Sequence, residues 1–385
     1  MNPQYKIYKI QKGDTLKSVA LQLNRNEYDL KSYHNTYCDI EDLIGIDFPK
    51  HLTELIVSSF ESIKKEEKLD AHKRVRLGSK EKFDFFPSSL NKNYGVLIVL
   101  ENDNDSQTIK YDLNLRYVKQ EEKDKVFELN RISKVYINDE EADAIADVLA
   151  VKVAQVLYPL QILIDENGSF SGIANHEQIQ QRWKVVKDKI YDEYEGEWVE
   201  KYIELNEEVI NDKESMEFSL LNDYFIRTYF NGIYCEYPEN KSRTGGIQFP
   251  VLHEVSDINF KVKSEIEEYY DESNFIVLNQ NGIIDEERAK EDLESKFNFP
   301  FYANPDASYT HADGMYRGKY FLNPSDHSIE AAYVEASVEL DIPERIKVSI
   351  ANLNPKYNLE IRDTNSKIFI EEKKELQKQN HFLID

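Results

Sequence analysis

Apolar and polar residues alternate at the start of the chain and predict a short strand. The segment Tyr5–Ile10 places every second residue on one side, as a strand with a single buried face requires. Gly13 supplies a tight turn after it, and Asp14 or Thr15 can accept hydrogen bonds from the free N–H groups at the start of a helix. The pattern therefore predicts a strand followed by a capped helix.

Helical spacing replaces the alternation from Leu16 onward. Asn26 is placed to cap a second short helix over Glu27–His34, whose first turn is acidic. Asn35 is predicted to end this helix, and Leu52–Val57 is predicted to close the segment as a strand. The apolar residues that define the first helix recur at i, i+3, i+4 and i+7, namely at Leu16, Val19, Ala20 and Leu23.

Strand-like alternation returns in the middle and in the last third of the chain. Polar residues on one side of so many strands indicate an antiparallel sheet with one solvated face. The last three predicted strands form an antiparallel meander. The predicted strands are Gly95–Leu100, Lys110–Tyr117, Val126–Ile137, Ile258–Ile266, Tyr316–Leu322, Glu330–Ile342 and Arg345–Asn352.

Amphipathic helices are predicted between these strands. The fold class is therefore expected to be α+β, with a small βααβ N-terminal domain and a larger body of antiparallel sheet with amphipathic helices. Helices are predicted from Asp139 and Glu140 to Pro159, over Glu177–Ile210 with a break at Gly196, over Glu217–Phe230 and over Asp285–Phe297.

Two Asn-Gly pairs predict hairpin turns, because this dipeptide between apolar runs favours a tight turn. One is Asn167-Gly168 within Leu160–Ile173, and the other is Asn281-Gly282. Each predicted hairpin precedes an acidic helix, so residues 160–190 and 274–297 share an order that a duplicated half would produce.

Changes in composition divide the chain into four parts. Residues 1–59 form the first domain, and residues 60–82, rich in lysine and glutamate, form a linker. Residues 83–360 form the α+β body, with two sub-domains separated near 211–257 as the alternative. Residues 361–385 form a charged C-terminal tail.

Charge and cysteine content narrow the range of partners and compartments. The net charge is −24, and no basic stripe is present, which excludes a nucleic-acid partner and disfavours anionic lipid. The two cysteines, Cys38 and Cys235, lie outside any CxxC pattern, which favours a reducing compartment. Neither a signal peptide nor a membrane span is predicted. We expect a cytoplasmic protein, with export by a non-classical machine as the alternative.

The first four predicted elements resemble the LysM family. The residues that carry the resemblance, all within 5–58, are Gly13-Asp14-Thr15-Leu16, Ser18-Val19-Ala20, Leu30, Asn35 and Pro49. The resemblance implies a βααβ fold that binds N-acetylglucosamine glycans such as peptidoglycan or chitin. It also implies a groove between the loop after the first strand and the loop after the second helix. By position, its walls are Gly13, Asp14, Thr15 and Leu16 on one side and Asn35, Tyr37, Asp39 and Ile40 on the other.

Two features depart from the family pattern. The interval Thr36–His51 is longer than usual and acidic, and Pro49-Lys50 stands where Pro-Gly is usual. A longer, acidic second wall would cover or reshape the sugar groove. A LysM fold that serves as a protein-docking module is therefore as well supported as a glycan receptor.

No motif in the chain nominates a catalytic residue, a metal site or a cofactor, and none is predicted. The eight histidines form no HExxH, HxH or Cys/His cluster, and phosphate-loop and nucleophile-elbow patterns are absent. His311 and His327 flank a glycine-containing stretch and are the best pair for a site assembled in space. Trp183, Tyr194, Trp198 and Tyr202 form an aromatic stripe that predicts core packing, with a ligand cavity as the alternative.

Three functions fit these observations. The first is a non-enzymatic binding or scaffold protein that recognises a peptidoglycan-type glycan or docks as an adaptor or cargo component in an assembly. For the assembly, Tyr33–Leu43 is similar to LysM variants of which some are linked to contractile, phage-tail-like secretion systems. The second is a peptidoglycan-active hydrolase or delivered toxin with its site in residues 83–360. The third is a carrier that encloses an apolar ligand between sheet and helices.

Overall fold

A computed structural model of the chain describes residues 5–23, 25, 27–38, 42–44, 47–58, 74–78, 81–103, 105–141, 145–238, 240–253, 255–302 and 310–354. These residues form two units, the N-terminal unit within 5–58 and the body within 74–354. The tail predicted over 361–385 and most of the linker predicted over 60–82 lie outside the described residues. Val75, within the predicted linker, is buried in the core of the body.

The N-terminal unit has the element order strand, helix, helix, strand. Its two strands pair antiparallel, with Ile7 opposite Ile56. The second helix extends three residues beyond the predicted end at His34, so Asn35 lies inside its last turn and does not end it. The elements are β1 (Tyr5–Lys9), α1 (Leu16–Gln22), α2 (Glu27–Tyr37) and β2 (Glu54–Ser58).

Aliphatic side chains form the core of the N-terminal unit. Leu16, Val19 and Ala20 of α1 are buried, as their helical spacing predicts, and they share the core with residues of α2 and β2. Leu21, on the opposite side of α1, is 74% exposed. The other buried aliphatic residues are Leu30, Ile44, Leu52, Leu55 and Val57.

One antiparallel sheet runs through the body. Hydrogen-bonded neighbours follow the order β10-β11-β12-β13-β14-β15-β3-β4-β5-β8-β9, and β6 pairs with β4 and β7. The last strand therefore lies beside the first long strand of the body. The strands are β3 (Asn91–Asn102), β4 (Asp105–Glu121), β5 (Asp124–Arg131), β6 (Tyr136–Ile137), β7 (Glu140–Glu141), β8 (Leu160–Ile164), β9 (Phe170–Ile173), β10 (Ser242–Phe249), β11 (Ile258–Ile266), β12 (Ile276–Ile284), β13 (Asp313–Leu322), β14 (Ile329–Glu339) and β15 (Glu344–Asn352).

The two faces of this sheet differ in polarity. Tyr316, Tyr320 and Val334 are buried in the main core, whereas Arg317 and Lys319, which alternate with the tyrosines, are half-exposed. This alternation confirms the prediction of an antiparallel sheet with one polar face. With the helices that follow, the body is broadly α+β.

The helices of the body begin and end partly where the sequence predicts. The break at Gly196 is confirmed, because this residue has a φ of +125° and lies between α4 and α5. The start at Asp139 is wrong, since Asn138 and Asp139 have φ of +52° and +66°, which a helix cannot accommodate. The helices are α3 (Ile145–Gln155), α4 (His176–Glu193), α5 (Glu197–Asn211), α6 (Lys213–Leu220), α7 (Tyr224–Tyr229) and α8 (Lys290–Glu294).

Two longer predicted helices are also shorter in the structure. The helix predicted over Glu217–Phe230 is divided into α6 and α7, because the Asp223 carboxylate caps a new helix start by accepting from the Ile226 N–H at 2.9 Å. Within the range predicted over Asp285–Phe297, only α8 is helical. None of the described helices is long and apolar enough to cross a membrane.

The two Asn-Gly pairs have different structures. Asn167-Gly168 forms the predicted hairpin turn between β8 and β9, with Gly168 at a φ of +84°. Asn281-Gly282 lies inside the continuous strand β12, so the second predicted hairpin is wrong, and with it the duplicated half. A Cβ on Gly282 would lie 2.6 Å from Val262 Cγ2, so glycine here permits close approach of strand β11.

Tyrosine hydroxyls form a polar network inside the core of the body. The Asn231 side-chain amide nitrogen lies 2.8 Å from the hydroxyl oxygens of both Tyr316 and Tyr320. The hydroxyls of Tyr94 and Tyr229 are 3.0 Å apart. These bonds satisfy buried polar atoms and fix the segment after α7 against the sheet.

The predicted aromatic stripe on α4 and α5 is divided between core and surface. Trp183 is 1% exposed and Trp198 is 51% exposed, while Tyr194 and Tyr202 pack partly buried against the main core. The buried members support the core-packing interpretation.

Candidate binding site

The predicted first wall begins at a turn that its own side chains close. Gly13 has a φ of +98°, a left-handed conformation that glycine adopts without steric cost. The Asp14 Oδ2 atom accepts a hydrogen bond from the Gln11 N–H at 2.9 Å and lies 2.9 Å from the Tyr8 hydroxyl. The Asp14 carboxylate therefore ties the turn to β1.

The start of α1 is capped twice. The Thr15 and Ser18 side chains form a capping box, in which the Ser18 N–H donates to Thr15 Oγ1 at 3.1 Å and the Thr15 N–H donates to Ser18 Oγ at 2.9 Å. The Leu16 N–H donates to Asp47 Oδ1 at 2.6 Å. The Leu16 side chain is buried in the core, so only its backbone belongs to the wall.

The predicted second wall is held by the last turn of α2. The Asn35 side chain donates to the Ile44 carbonyl oxygen at 2.9 Å and accepts from the Ile44 N–H at 2.8 Å. Both ends of its amide are thus engaged with one backbone residue. Asn35 fastens the chain after α2 to the helix, which is a structural role.

His34 joins the same loop to the closing strand. The Ile56 N–H lies 3.0 Å from His34 Nδ1, so Nδ1 must accept, and Nε2 then donates to the Asp42 carbonyl oxygen at 2.9 Å. The ring is buried and neutral in this arrangement. Burial lowers the pKa of His34, and the nearby Asp42 carbonyl and carboxylate oppose that effect.

The remaining predicted wall residues are less fully described. Tyr37 is the last residue of α2. Asp39 and Ile40 lie outside the described residues. Ile44 and Asp47 connect the two walls, because Asp47 binds the start of α1 and Ile44 binds the end of α2.

Sequence reasoning missed three residues that organise this region: Tyr8, His34 and Asp47. Tyr8 was predicted only as a strand residue, and Asp47 only as one of several acids in a long interval. The bond between Leu16 and Asp47 spans 31 residues, and no local pattern signals it. The one general indication of this bond is an acidic segment that follows a helix start, since a carboxylate near a helix N-terminus is stabilising.

The body contains an acidic cleft with a volume of about 1340 Å³. The end of β3, the starts of β11 and β15 and the segments after β10 and β12 line it. Arg288, one of its few cations, is buried and bound to the Glu286 carboxylate at 2.7 Å and to the Asp257 carbonyl oxygen at 2.9 Å. Its carboxylates are those of Glu101, Asp105, Asp257, Asp285, Glu286, Glu287 and Glu344.

Burial raises the pKa of the acids in the cleft, but a bound cation reverses the shift at one of them. Burial alone would raise the pKa of Glu286, but the hydrogen bonds and charge of Arg288 lower it below the usual value. Burial raises the pKa of Glu344, and the more distant charges of His253 and Lys296 only oppose this. Three of these carboxylates, those of Glu286, Asp257 and Glu101, pair with Arg288, Arg227 and Lys347. The other four leave the cleft with a surplus of negative charge.

The two histidines that the sequence paired do not meet. His311 precedes β13 and His327 follows it, so a strand of 10 residues separates them. His327 stacks on Phe83 with ring centroids 4.5 Å apart. Among the described residues, no group of three or more His, Cys, Asp or Glu side chains is arranged to hold a metal ion.

No protein-family model matches the sequence, and no curated protein matches it.

Proposed function

We propose that the chain is a non-enzymatic binding and scaffold protein whose LysM-like N-terminal unit docks onto a protein partner. The observation that carries the proposal is the 2.6 Å hydrogen bond from the Leu16 N–H to Asp47 Oδ1. In a glycan receptor this N–H belongs to the wall that hydrogen-bonds the sugar. Here the chain's own second wall occupies it.

The other wall residues support the same conclusion. Asn35 uses both ends of its amide on Ile44, and Asp14 binds the Gln11 N–H and the Tyr8 hydroxyl. A sugar would have to displace these bonds, and displaced polar groups that stay buried cost roughly 1–3 kcal/mol each. Glycan recognition is thereby disfavoured relative to docking.

Apolar residues on the surface of the N-terminal unit supply a docking face. Ile7 is 52% exposed on β1 and faces the half-buried Ile56 across the strand pair. A pair of apolar side chains at the surface favours contact with a protein over contact with a sugar, because the apolar surface is then removed from water. The LysM resemblance suggests a component of a contractile secretion-type assembly as the partner.

The alternatives for the body find less support. The acidic cleft would repel the apolar ligand of a carrier, because burying carboxylates against hydrocarbon is costly. A glycoside hydrolase needs two facing carboxylates, one of them a free acid. Glu344, whose pKa burial raises, is one such acid, but the Glu286 carboxylate of the same cleft is bound to Arg288 at 2.7 Å.

Retention on purified peptidoglycan sacculi tests the docking proposal against the glycan alternative. We expect little retention of the unmodified chain, because the groove is occupied. Asp47→Ala should increase retention if Asp47 is what closes the groove. Strong retention of the unmodified chain that Asp14→Lys abolishes would overturn the proposal in favour of a glycan receptor.

Size-exclusion chromatography of the tagged chain from its native host tests docking directly. We expect the chain in a complex larger than a monomer, and Ile7→Gln should return it to the monomer fraction. Lys12→Gln changes an exposed residue outside this face and serves as the control. Elution of the unmodified chain as a monomer would contradict the proposal.

A further inference from the structure

Four aromatic rings form an exposed cluster after α8. Phe299 is 56% exposed and Phe301 is 62% exposed, and Phe297 and Tyr302 lie against them. The Phe297 and Phe299 rings stack with centroids 5.6 Å apart, and the Phe301 and Tyr302 rings meet edge to face at 5.1 Å. Contiguous exposed apolar surface of this kind marks a contact site in soluble proteins.

A buried carboxylate holds the segment that carries these rings. Asp292 is fully buried, and its Oδ1 atom accepts from the N–H groups of Phe301 at 3.0 Å and Tyr302 at 2.7 Å. Its Oδ2 atom accepts from the Ala289 N–H at 2.8 Å, and the Phe297 N–H donates to its carbonyl oxygen at 2.9 Å. The outward position of the rings is therefore fixed by bonds beneath them.

The aromatic cluster adjoins the acidic cleft. Asn298 and Pro300, which alternate with the rings along the chain, line the cleft. Asp285 and Glu287 at the same cleft are exposed, and Glu344 is half-buried. The rings themselves are not part of the cleft wall, but they lie on the segment that lines it, so an apolar part and an anionic part are neighbours on the body.

We propose that this surface, Phe297–Tyr302 together with the acidic cleft, is a docking site for a basic amphipathic polypeptide segment of a partner protein. Charge complementarity selects the partner, since lysine and arginine can pair with the carboxylates and lie over the ring faces. The apolar residues of the same segment pack on the rings. Nucleic acid and anionic lipid, which are themselves negatively charged, are repelled by this surface.

Fluorescence anisotropy on the full-length chain tests the site, with a labelled peptide of alternating lysine and leucine as the probe. We expect saturable binding that weakens by about tenfold or more in Phe299→Ser/Phe301→Ser and in Asp285→Lys/Glu287→Lys. Trp198→Ser removes an exposed ring elsewhere, and Asp192→Lys/Glu195→Lys makes the same charge change elsewhere. Both control variants should bind within about twofold of the unmodified chain.

If peptide binding weakens equally in the cleft variants and the control variants, the proposal is overturned, because the peptide is then attracted only by the overall negative charge of the chain. Equal binding of a glutamate–leucine peptide would also overturn it, since charge would then play no part. If the double aromatic variant loses its far-ultraviolet circular dichroism, Tyr302→Ser gives the same test with a smaller change. The residues differ from those of the N-terminal docking face, so either proposal can fail alone.

Discussion

In the N-terminal unit the buried apolar side chains are aliphatic, whereas the largest fully buried side chains among the described residues are aromatic and belong to the body. The two regions also satisfy their polar groups differently. The N-terminal unit uses the side chains of His34, Asn35 and Asp47, of which His34 is buried, to bind backbone groups next to its small aliphatic core. The body places tyrosine hydroxyls and Asn231 inside its core. A small unit therefore depends on individual hydrogen bonds for a larger share of its stability.

Trp183→Ala should give the largest effect and would test how far the body depends on its aromatic core. The substitution removes a ring that is 1% exposed, so we expect a loss of about 3–5 kcal/mol in the free energy of unfolding. Urea denaturation followed by circular dichroism measures it. Trp198→Ala, at the other tryptophan, is the control and should change the free energy by less than about 0.5 kcal/mol. Similar losses in both variants would contradict the assignment of core and surface.

The same change, asparagine to alanine, can be made in each region, as Asn35→Ala in the N-terminal unit and Asn231→Ala in the body. Asn35→Ala leaves the buried Ile44 backbone without its partners, at a cost of roughly 1–3 kcal/mol. Asn231→Ala removes the partner of two buried hydroxyls at a similar cost. Because the N-terminal unit is small, Asn35→Ala should increase hydrogen exchange throughout it, while Asn231→Ala should act only near the tyrosines. Local exchange changes in both variants would break the comparison.

Acidic pH should give the smallest effect and should act on the N-terminal unit. The pKa of His34 is lowered in the folded state, so its contribution to stability is complete above the unfolded pKa of about 6.5. That contribution is lost as the pH falls from there through the folded pKa, because a proton on Nδ1 breaks the bond from the Ile56 N–H.

Hydrogen exchange of residues 42–44 and 54–58 across this pH range measures the His34 effect, which should be about one hydrogen bond, ~1 kcal/mol. His51 Nε2 lies 3.4 Å from the Asp42 carboxylate, so His51 is the control histidine. His34→Gln should remove the pH dependence, and His51→Gln should keep it. Persistence of the dependence in His34→Gln would show that another group is responsible.

The local pattern of apolar and polar residues correctly predicted those elements that depend only on neighbouring residues in the sequence. Strand β11 begins and ends at Ile258 and Ile266 as predicted, and the Asn167-Gly168 hairpin is confirmed. The pairing of β15 with β3 and the position of Gly282 inside β12 depend on partners distant in sequence. No local pattern contains that information.

The candidate site shows the same division. The Thr15 cap follows from its place before an apolar helix, and the capping box bears it out. The hydrogen bond from the Leu16 N–H to Asp47 joins residues that are 31 positions apart, and no local pattern predicts such a contact. Only Phe297 of the aromatic cluster lies in the range predicted as a helix, Asp285–Phe297, and no element is predicted over residues 298–302, so the exposure of the cluster could not be foreseen.

The placement of the two Asn-Gly pairs has a consequence for the chemical ageing of the protein. Deamidation requires the glycine nitrogen to reach the asparagine side-chain carbonyl, which demands backbone freedom. At Asn281-Gly282 strands on both sides restrain the backbone, with Gly282 opposite Val262 and Tyr316. At Asn167-Gly168 there is no strand pairing on either side, and the restraints are the turn itself and a hydrogen bond from the Tyr234 N–H to the Asn167 carbonyl oxygen at 3.0 Å. Isoaspartate should therefore accumulate first at the hairpin tip between β8 and β9, while the identical dipeptide within the sheet is preserved during storage.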